Sequence, residues 1–392
     1  MSRNAGPRKD VKTGTWGFVV DLGAGPDGDR RQARRRGFAT KREAQEALDR
    51  LRISARDQTY VEPHRMTLAT YLDGWCAGLA TSGRSPSTVD GYTRHLRSHV
   101  RPALGGRQLS ALTAMDLDRL YARLLAEGRI DGKGGLSPRM VRYVHSILSK
   151  ALSDAVRKRL IVRNVALDAD PPTAKAARAP EMEWWTPAEL ATFLASVRDD
   201  PLFPLFRTAA MSGMRRGEVC GMQWGDIDLD TGRISVRHQI ITVNGALIFR
   251  ERPKTDNGIR SIELDVETLR ILRAHRASQL EQRLAIGAGW SDLDLVFCGP
   301  AGECLDPESV AKTFDRRVAR STVKRIRFHD LRHTHVAHLI AARMDALVIS
   351  KRLGHASVSF TYDKYGHLMP KADSDAASAV AALVDRAYEG QG

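Results

Sequence analysis

The residues of this 392-residue chain best able to do chemistry lie in its second half, in five short segments. In order they are Ser212-Gly213-Met214-Arg215-Arg216-Gly217-Glu218, Pro253-Lys254-Thr255, His329-Asp330-Leu331-Arg332-His333, Leu353-Gly354-His355 and Tyr365-Gly366-His367-Leu368. Fixed cations, proton donors and one phenol form an inventory suited to gripping a phosphate and attacking it with an oxygen nucleophile. A phosphodiester repels such a nucleophile, and its five-coordinate transition state spreads further charge over the non-bridging oxygens. Arginine meets both demands, because its planar fork gives two aligned hydrogen bonds and stays charged. One preorganised donor of this kind is worth ~10²–10³ in rate.

Read as residues alone, Arg215 and Arg216 compete for the first clamp position, and Arg332 supplies the second. Tyr365 and Tyr362, three apart on one helical face, compete as nucleophile. A phenol with a pKa of about 10 is neutral at pH 7 and needs cationic neighbours or a base. Lys254, in a turn between strands, is suited to protonating the leaving alkoxide, while His329 and His355 can trade protons or donate to the phosphate. Glu218, one helical turn after Arg215, is placed to orient the cations rather than attack. His333, His335 and His338 read as helix residues facing solvent or DNA. His329 and His333 stand four apart, as in a metalloprotease helix, but Asp330 occupies the place of the required Glu, so no metal is expected.

The elements that must position these groups follow from pattern. Thr186-Pro187-Ala188-Glu189 is a capping box with proline in the first turn, opening a final domain. A helix over Phe203–Ser212 delivers Arg215 to the start of the next one. Arg233–Thr242 alternates as a strand, Asn244-Gly245 is a hairpin turn, and Leu247–Glu251 and Gly258–Leu264 follow as second and third strands. Helices are expected over Val266–Leu284, Pro307–Val318, His329–Arg343 and Ala346–Leu353, then around Tyr365, with an alanine-rich helix near Ala376–Ala387.

Upstream, residues 64–168 read as helical. In the stretch opened by Ser137-Pro138, Val141, Val144, Ile147, Leu148, Ala151, Leu152 and Ala155 recur at helical spacing. The opposite face carries Arg139, Arg142, His145, Lys150, Arg157 and Lys158, a candidate DNA-backbone grip. Residues 169–183, rich in proline and small residues, read as a linker. Residues 1–60 form a small sheet-plus-helix module. Thr15–Asp21 and Arg30–Phe38 are its strands, and Thr40-Lys41-Arg42-Glu43 caps its helix. Its 14 Lys/Arg against 8 Asp/Glu give +6, and Arg30, Arg31, Arg34, Arg35 and Arg36 lie too close together for mutual pairing. A ribbon so loaded is suited to DNA phosphates or a groove.

The bulk numbers agree. Length implies two or three domains, and a net charge of +15 with 42% hydrophobic residues describes a globular chain with a polyanionic partner. No run approaches the ~18–20 apolar residues of a membrane span. The first residues lack an apolar signal core, so a cytoplasmic, nucleoid-associated protein is expected. Cys76, Cys220, Cys298 and Cys304 form neither a disulfide framework nor paired zinc-ligand spacing.

Arg215, Lys254, His329, Arg332, His355 and Tyr365, in this order and with these flanks, resemble the signature of the tyrosine recombinases, the phage-integrase family. Gly-Met-Arg-Arg-Gly-Glu looks like the family's first arginine box, which selects Arg215 over Arg216. Tyr-Gly-His-Leu looks like its nucleophile segment, which selects Tyr365 over Tyr362. The resemblance implies a multidomain, mainly α protein with small β-sheets. An arm-type DNA-binding domain (1–60), a helical core-binding domain (64–168), a linker (169–183) and a mixed α/β catalytic domain (184–392) are expected. It further implies an integrase that cuts and rejoins DNA through a 3′-phosphotyrosyl link and a Holliday junction, without cofactor or metal. The implied partners are double-stranded attachment sites, a homotetramer on synapsed DNA, an excisionase-type directionality factor and a DNA-bending host protein.

Overall fold

The computed structural model describes residues 6–24, 30–56, 65–179, 181–251, 259–355, 357–368, 380–382 and 384–386. Pro253, Lys254 and Thr255 lie outside these residues, and of the expected C-terminal helix only 380–382 and 384–386 are described, as helix. The described residues are mainly helical with three small sheets, and the chain divides into two compact units. One unit holds residues 1–84 and 88–179; the other holds 180–392 with 85–87.

The first unit begins with an antiparallel sheet of β1 (Arg8–Lys9), β2 (Trp16–Ala24) and β3 (Arg30–Phe38), followed by α1 (Lys41–Arg56). Strand alternation sends Phe18, Val20 and Ala33 inward against Ala44, Leu48 and Leu51 of the helix. Val19 pairs with Arg34 in the ladder, and both are exposed on the other face. Arg36 is exposed as well, Arg35 is half-buried, and Arg30 and Arg31 lie on β3 with side chains outside the described residues.

A helical module follows: α2 (Leu68–Thr81), α3 (Pro86–His95), a π-helical turn (Leu96–Val100), α4 (Arg101–Leu104), α5 (Ala114–Glu127) and α6 (Pro138–Arg157). The apolar stripe of α6 is fully buried, each large side chain contributing about 1.5–3 kcal/mol. Its basic face is not uniformly open. Arg139 is exposed and Lys150 half-buried, but Arg142 donates to the Pro172 carbonyl (2.8 Å) and His145 hydrogen-bonds the Tyr121 hydroxyl (2.9 Å). Arg157 pairs with Asp154. Part of that face therefore holds the module to its own following segment.

The second unit contains α7 (Pro187–Ser196), α8 (Phe203–Ser212), α9 (Arg216–Cys220), β4 (Ile227–Asp228), β5 (Arg233–Val236), β6 (Gln239–Val243), β7 (Ala246–Arg250) and β8 (Arg260–Glu263). The helices α10 (Val266–Ile286), α11 (Pro307–Val318), α12 (Asp330–Ala341), α13 (Ala346–Leu353) and α14 (Val358–Tyr365) complete it. Thr186 and Glu189 form the capping box expected at the start of α7. The core is aromatic: Trp185, Phe193, Phe206, Phe314 and Phe328 pack with ring centroids 4.8–6.4 Å apart.

One sequence expectation is corrected here. The stretch Arg233–Thr242 is not a single strand: it breaks at Arg237-His238, and its halves join different sheets, β4-β5-β8 and β6-β7. The break is enforced by His238, whose Nδ1 meets Asp226 at 2.6 Å while its ring stacks on Phe249. The third strand, β8, accordingly pairs with β5 rather than with β7. The β6–β7 hairpin turns at Asn244-Gly245, both with positive φ. It is seated directly on α9: a Cβ on Gly217 would fall 2.5 Å from the Ile240 carbonyl oxygen, and one on Gly221 2.7 Å from the Gln239 Cα.

Candidate active site

Arg215 is the N-cap residue of α9. Its backbone N–H and its guanidinium both donate to Glu218, at 2.8 and 2.7 Å, so a single carboxylate caps the helix and fixes the cation. Glu218 is almost wholly buried and also receives both terminal nitrogens of Arg260, at 3.2 and 2.8 Å. Burial pushes the Glu218 carboxyl up, but hydrogen bonds and charge from Arg260, then charge from Arg215, hold it down at about 2. This bears out no catalytic role, but it does place Glu218 as the anchor of two guanidinium groups.

Arg332 lies one turn into α12 and is 5% exposed. Its Nη1 donates to the Gly213 carbonyl and its Nη2 to the Leu353 carbonyl, both at 2.7 Å. A second nitrogen of Arg215 donates to the Gly354 carbonyl at 3.3 Å. The acceptors lie at the C-terminal ends of α8 and α13, where carbonyls are left without helical partners and the helix dipole is negative. Gly213 and Gly354 cap those helices with φ of 65° and 64°, the left-handed conformation glycine adopts without penalty. At Gly213 space is also closed, since a Cβ would meet His335 at 2.8 Å and Leu353 at 2.9 Å. Burial, followed by the charges of Arg215 and Arg260, pushes the Arg332 pKa down to about 9, which leaves it a cation at pH 7.

Tyr365 ends α14 and is 2% exposed, whereas Tyr362 is 53% exposed. The Tyr365 hydroxyl lies 2.6 Å from His333 Nδ1. Its ring lies parallel to His355, centroids 6.5 Å apart. Burial pushes the phenol up to about 12 against the opposing charge of Arg332. His355 hydrogen-bonds Thr361 at 2.8 Å, and burial with the neighbouring arginines lowers it to about 3. His329, just before α12, is held at about 4 by burial and then by Arg332 and Lys364. Both histidines are therefore neutral at pH 7, each with one N–H to offer. Lys364, half-buried beside Tyr365, is lowered by burial and by Arg332.

The fold thus brings Arg215, Glu218, His329, Arg332, His355 and Tyr365 into one unit, with Lys254 outside the described residues. A cleft of about 730 Å³ opens over Arg215, Arg216, Gly217, Ile240, Arg327 and His329. One contributor was missed in the sequence and three residues were misplaced. Arg260 was unassigned, although it shares a strand face with buried Ile262 two residues on. The reading of His333, His335 and His338 as facing solvent or DNA is overturned. His333 and His335 are buried; His335 donates to the Ala210 carbonyl and accepts from Arg352, and half-buried His338 donates to the Trp185 carbonyl. They face inward because α12 is enclosed on nearly all sides, with Asp330 through Ala337 buried in sequence.

Comparison with known proteins finds related domains and folds. Residues 193–371 match the phage integrase family, and residues 8–54 match an arm DNA-binding domain. A tyrosine recombinase XerC-like protein of Caldanaerobacter subterraneus is 25% identical over 382 residues, covering 93% of this chain and 96% of the relative. The ICEBs1 integrase of Bacillus subtilis is 27% identical over 379 residues, covering 94% and 97%. Among solved structures, the Tn1549 transposon integrase in complex with a circular intermediate DNA superposes with a TM-score of 0.62 at 20% identity, covering 81% of this chain and 99% of the other. A lambda integrase tetramer bound to a Holliday junction gives 0.52 at 17% identity, covering 91% and 97%. The chain belongs to the phage integrase family of tyrosine recombinases and carries an arm-type domain.

Proposed function

We propose that this recombinase integrates and excises a mobile element by exchanging DNA strands at attachment sites, with Tyr365 as nucleophile. The observation that carries the assignment is a phenol sealed within the field of Arg332 and stacked beside His355. Arg215 and Arg332 hold the non-bridging oxygens, and neutral His329 and His355 donate N–H groups to the same phosphate. Tyr365 Oη bonds to phosphorus as the bond to the 5′ oxygen breaks, leaving a 3′-phosphotyrosyl link. Lys254 protonates the departing 5′ oxygen. A 5′ hydroxyl from the partner strand then reverses the step. One phosphoester replaces another, so the energy of the link is conserved and the sequence can run twice through a Holliday junction.

The remaining assignments rest on charge, joined by exposure at Arg34, Arg36 and Arg139. Residues 1–60 bind arm-type sites through Arg34 and Arg36 with Arg30, Arg31 and Arg35, and residues 64–168 bind the core site with Arg139, Arg142 and Lys150. Residues 169–183 link them to the catalytic domain, 184–392. The working assembly is a homotetramer on two DNA segments at the nucleoid in the cytosol, joined by a directionality factor and a DNA-bending host protein. Tyr365→Phe is expected to abolish covalent adducts on a nicked suicide substrate while leaving DNA affinity nearly unchanged. Adducts retained by that variant would refute the nucleophile. Joint products between two cognate sites separate recombination from simple nicking and resealing, which gives relaxed circles alone.

A further inference from the structure

The scheme above gives the leaving oxygen a proton but provides no acceptor for the proton that Tyr365 must lose. We propose that His333 is the catalytic base of strand cleavage, taking the Tyr365 proton on Nδ1, with Asp330 as its positioning residue. The inference rests on Tyr365 being the nucleophile and supplies the step that assignment lacks.

The geometry is that of a buried relay. His333 Nδ1 and Tyr365 Oη are 2.6 Å apart, and both residues are closed to solvent. Asp330 lies one turn earlier on the same face of α12, its Oδ1 4.0 Å from His333 Nε2. That distance is too long for a hydrogen bond, but the carboxylate's charge favours the N–H on Nε2 and leaves Nδ1 as the acceptor. Asp330 is itself locked in place, receiving the backbone N–H of Arg327 at 2.8 Å and two guanidinium bonds at 3.0 and 2.7 Å. Neither of the other site histidines is so placed: His355 Nδ1 is engaged by Thr361, and His329 meets His333 edge to face with centroids 5.3 Å apart.

The charged and titratable groups around His333 are Asp330 on α12, Arg327 and His329 before it, and Lys364 and Tyr365 on α14. Burial first, then Lys364 and His329, hold His333 at about 4, against the pull of Asp330. His333 is therefore neutral, the accepting form, at pH 7. Proton transfer accompanies Oη–P bond formation: the O–H bond breaks, an N–H bond forms, and the P–O5′ electron pair leaves with the oxygen that Lys254 protonates. On rejoining, the imidazolium returns its proton to the departing tyrosine oxygen.

Single-turnover adduct formation by the full chain on a nicked suicide substrate, between about pH 6 and pH 10, tests this. Wild-type rates are expected to stay near level from about pH 6.5 to about pH 8.5, where Arg332, with its pKa of about 9, is still charged. A wild-type rate that climbs tenfold per pH unit through neutrality would mean that hydroxide removes the proton, and would overturn the proposal without any variant. His333→Ala and His333→Gln are expected to lose ~10²–10⁴ in rate near pH 7 and to recover steeply with pH. Glutamine can hold the phenol but cannot take its proton, so near-wild-type cleavage by His333→Gln would reduce His333 to a structural prop and overturn its role as base. Asp330→Asn is expected to slow cleavage more modestly while keeping the level profile. Absence of wild-type adduct, or adduct in Tyr365→Phe, would instead sink the nucleophile assignment beneath it.

Discussion

Two sets of arginines in this molecule are built on opposite principles. In the second unit, Arg332 and Arg260 are buried, and Arg215 is tied down beside them by Glu218 and the Gly354 carbonyl. In the first unit, Arg34 and Arg36 stand on the open face of a strand, turned away from the small apolar core. Buried, pre-aimed guanidinium groups have already lost their solvation and conformational freedom during folding, so a transition state meets them at no further cost. Exposed ones release counterions when they meet a phosphate, which gives affinity and salt dependence but no geometric selectivity. On the proposed assignments the same side chain serves catalysis in one place and grip in the other, and burial makes the difference.

Substituting Arg332 strains this contrast most. Arg332→Ala is expected to reduce adduct formation ~10²–10³-fold. It also leaves the Gly213 and Leu353 carbonyls without their donor, at about 1–3 kcal/mol in a urea melt. Arg332→Lys keeps the charge, but one ammonium cannot span two carbonyls as a fork does, so most of the loss should remain. Full activity in the lysine variant would break the claim that alignment matters more than charge.

Glu218 gives the next effect. Its folded pKa of about 2 lies below that of a free carboxyl, so its stabilisation is complete above about pH 5 and is lost as pH falls towards 2. Wild type should lose on the order of 3 kcal/mol across that window from this group, and Glu218→Gln should lack that part of the slope. Equal acid dependence of the two urea midpoints would show that the carboxylate does not anchor the cluster. The smallest effect belongs to the arm. Arg34→Ala should flatten the slope of log affinity against log salt by roughly one unit and leave core-site cleavage unchanged. A cleavage defect would show that the two sets are not independent.

The sequence made most of this legible where a residue's role is local. The capping box at Thr186, the Asn244-Gly245 turn and the apolar stripe of α6 each declare themselves within a few positions. Arg215, His329, Arg332, His355 and Tyr365 could be singled out because their chemistry is unusual and their flanks are short, and the fold gathers these five in one unit, while Lys254 lies outside the described residues. What stayed hidden depends on packing between distant segments. His333 sits on a helix whose polar side chains point inward, so periodicity gave no sign of its burial. Arg260 reaches Glu218 across 42 residues, and only its shared face with Ile262 hinted that it turned inward. The split of Arg233–Thr242 required His238 to find Asp226, a pairing no alternation of strand residues encodes.

The seat that Gly217 and Gly221 cut for β6 has a mechanical consequence. Backbone rests on backbone there, with no compressible side chain as a cushion, and the helix involved is the one that Arg215 caps. A duplex that pushed or twisted the β6–β7 hairpin would deliver that load straight to the foot of the first phosphate clamp. On the proposed assignment of Arg215, docking of DNA and alignment of the guanidinium would be geared together, and a methyl group at either glycine would slip the gear.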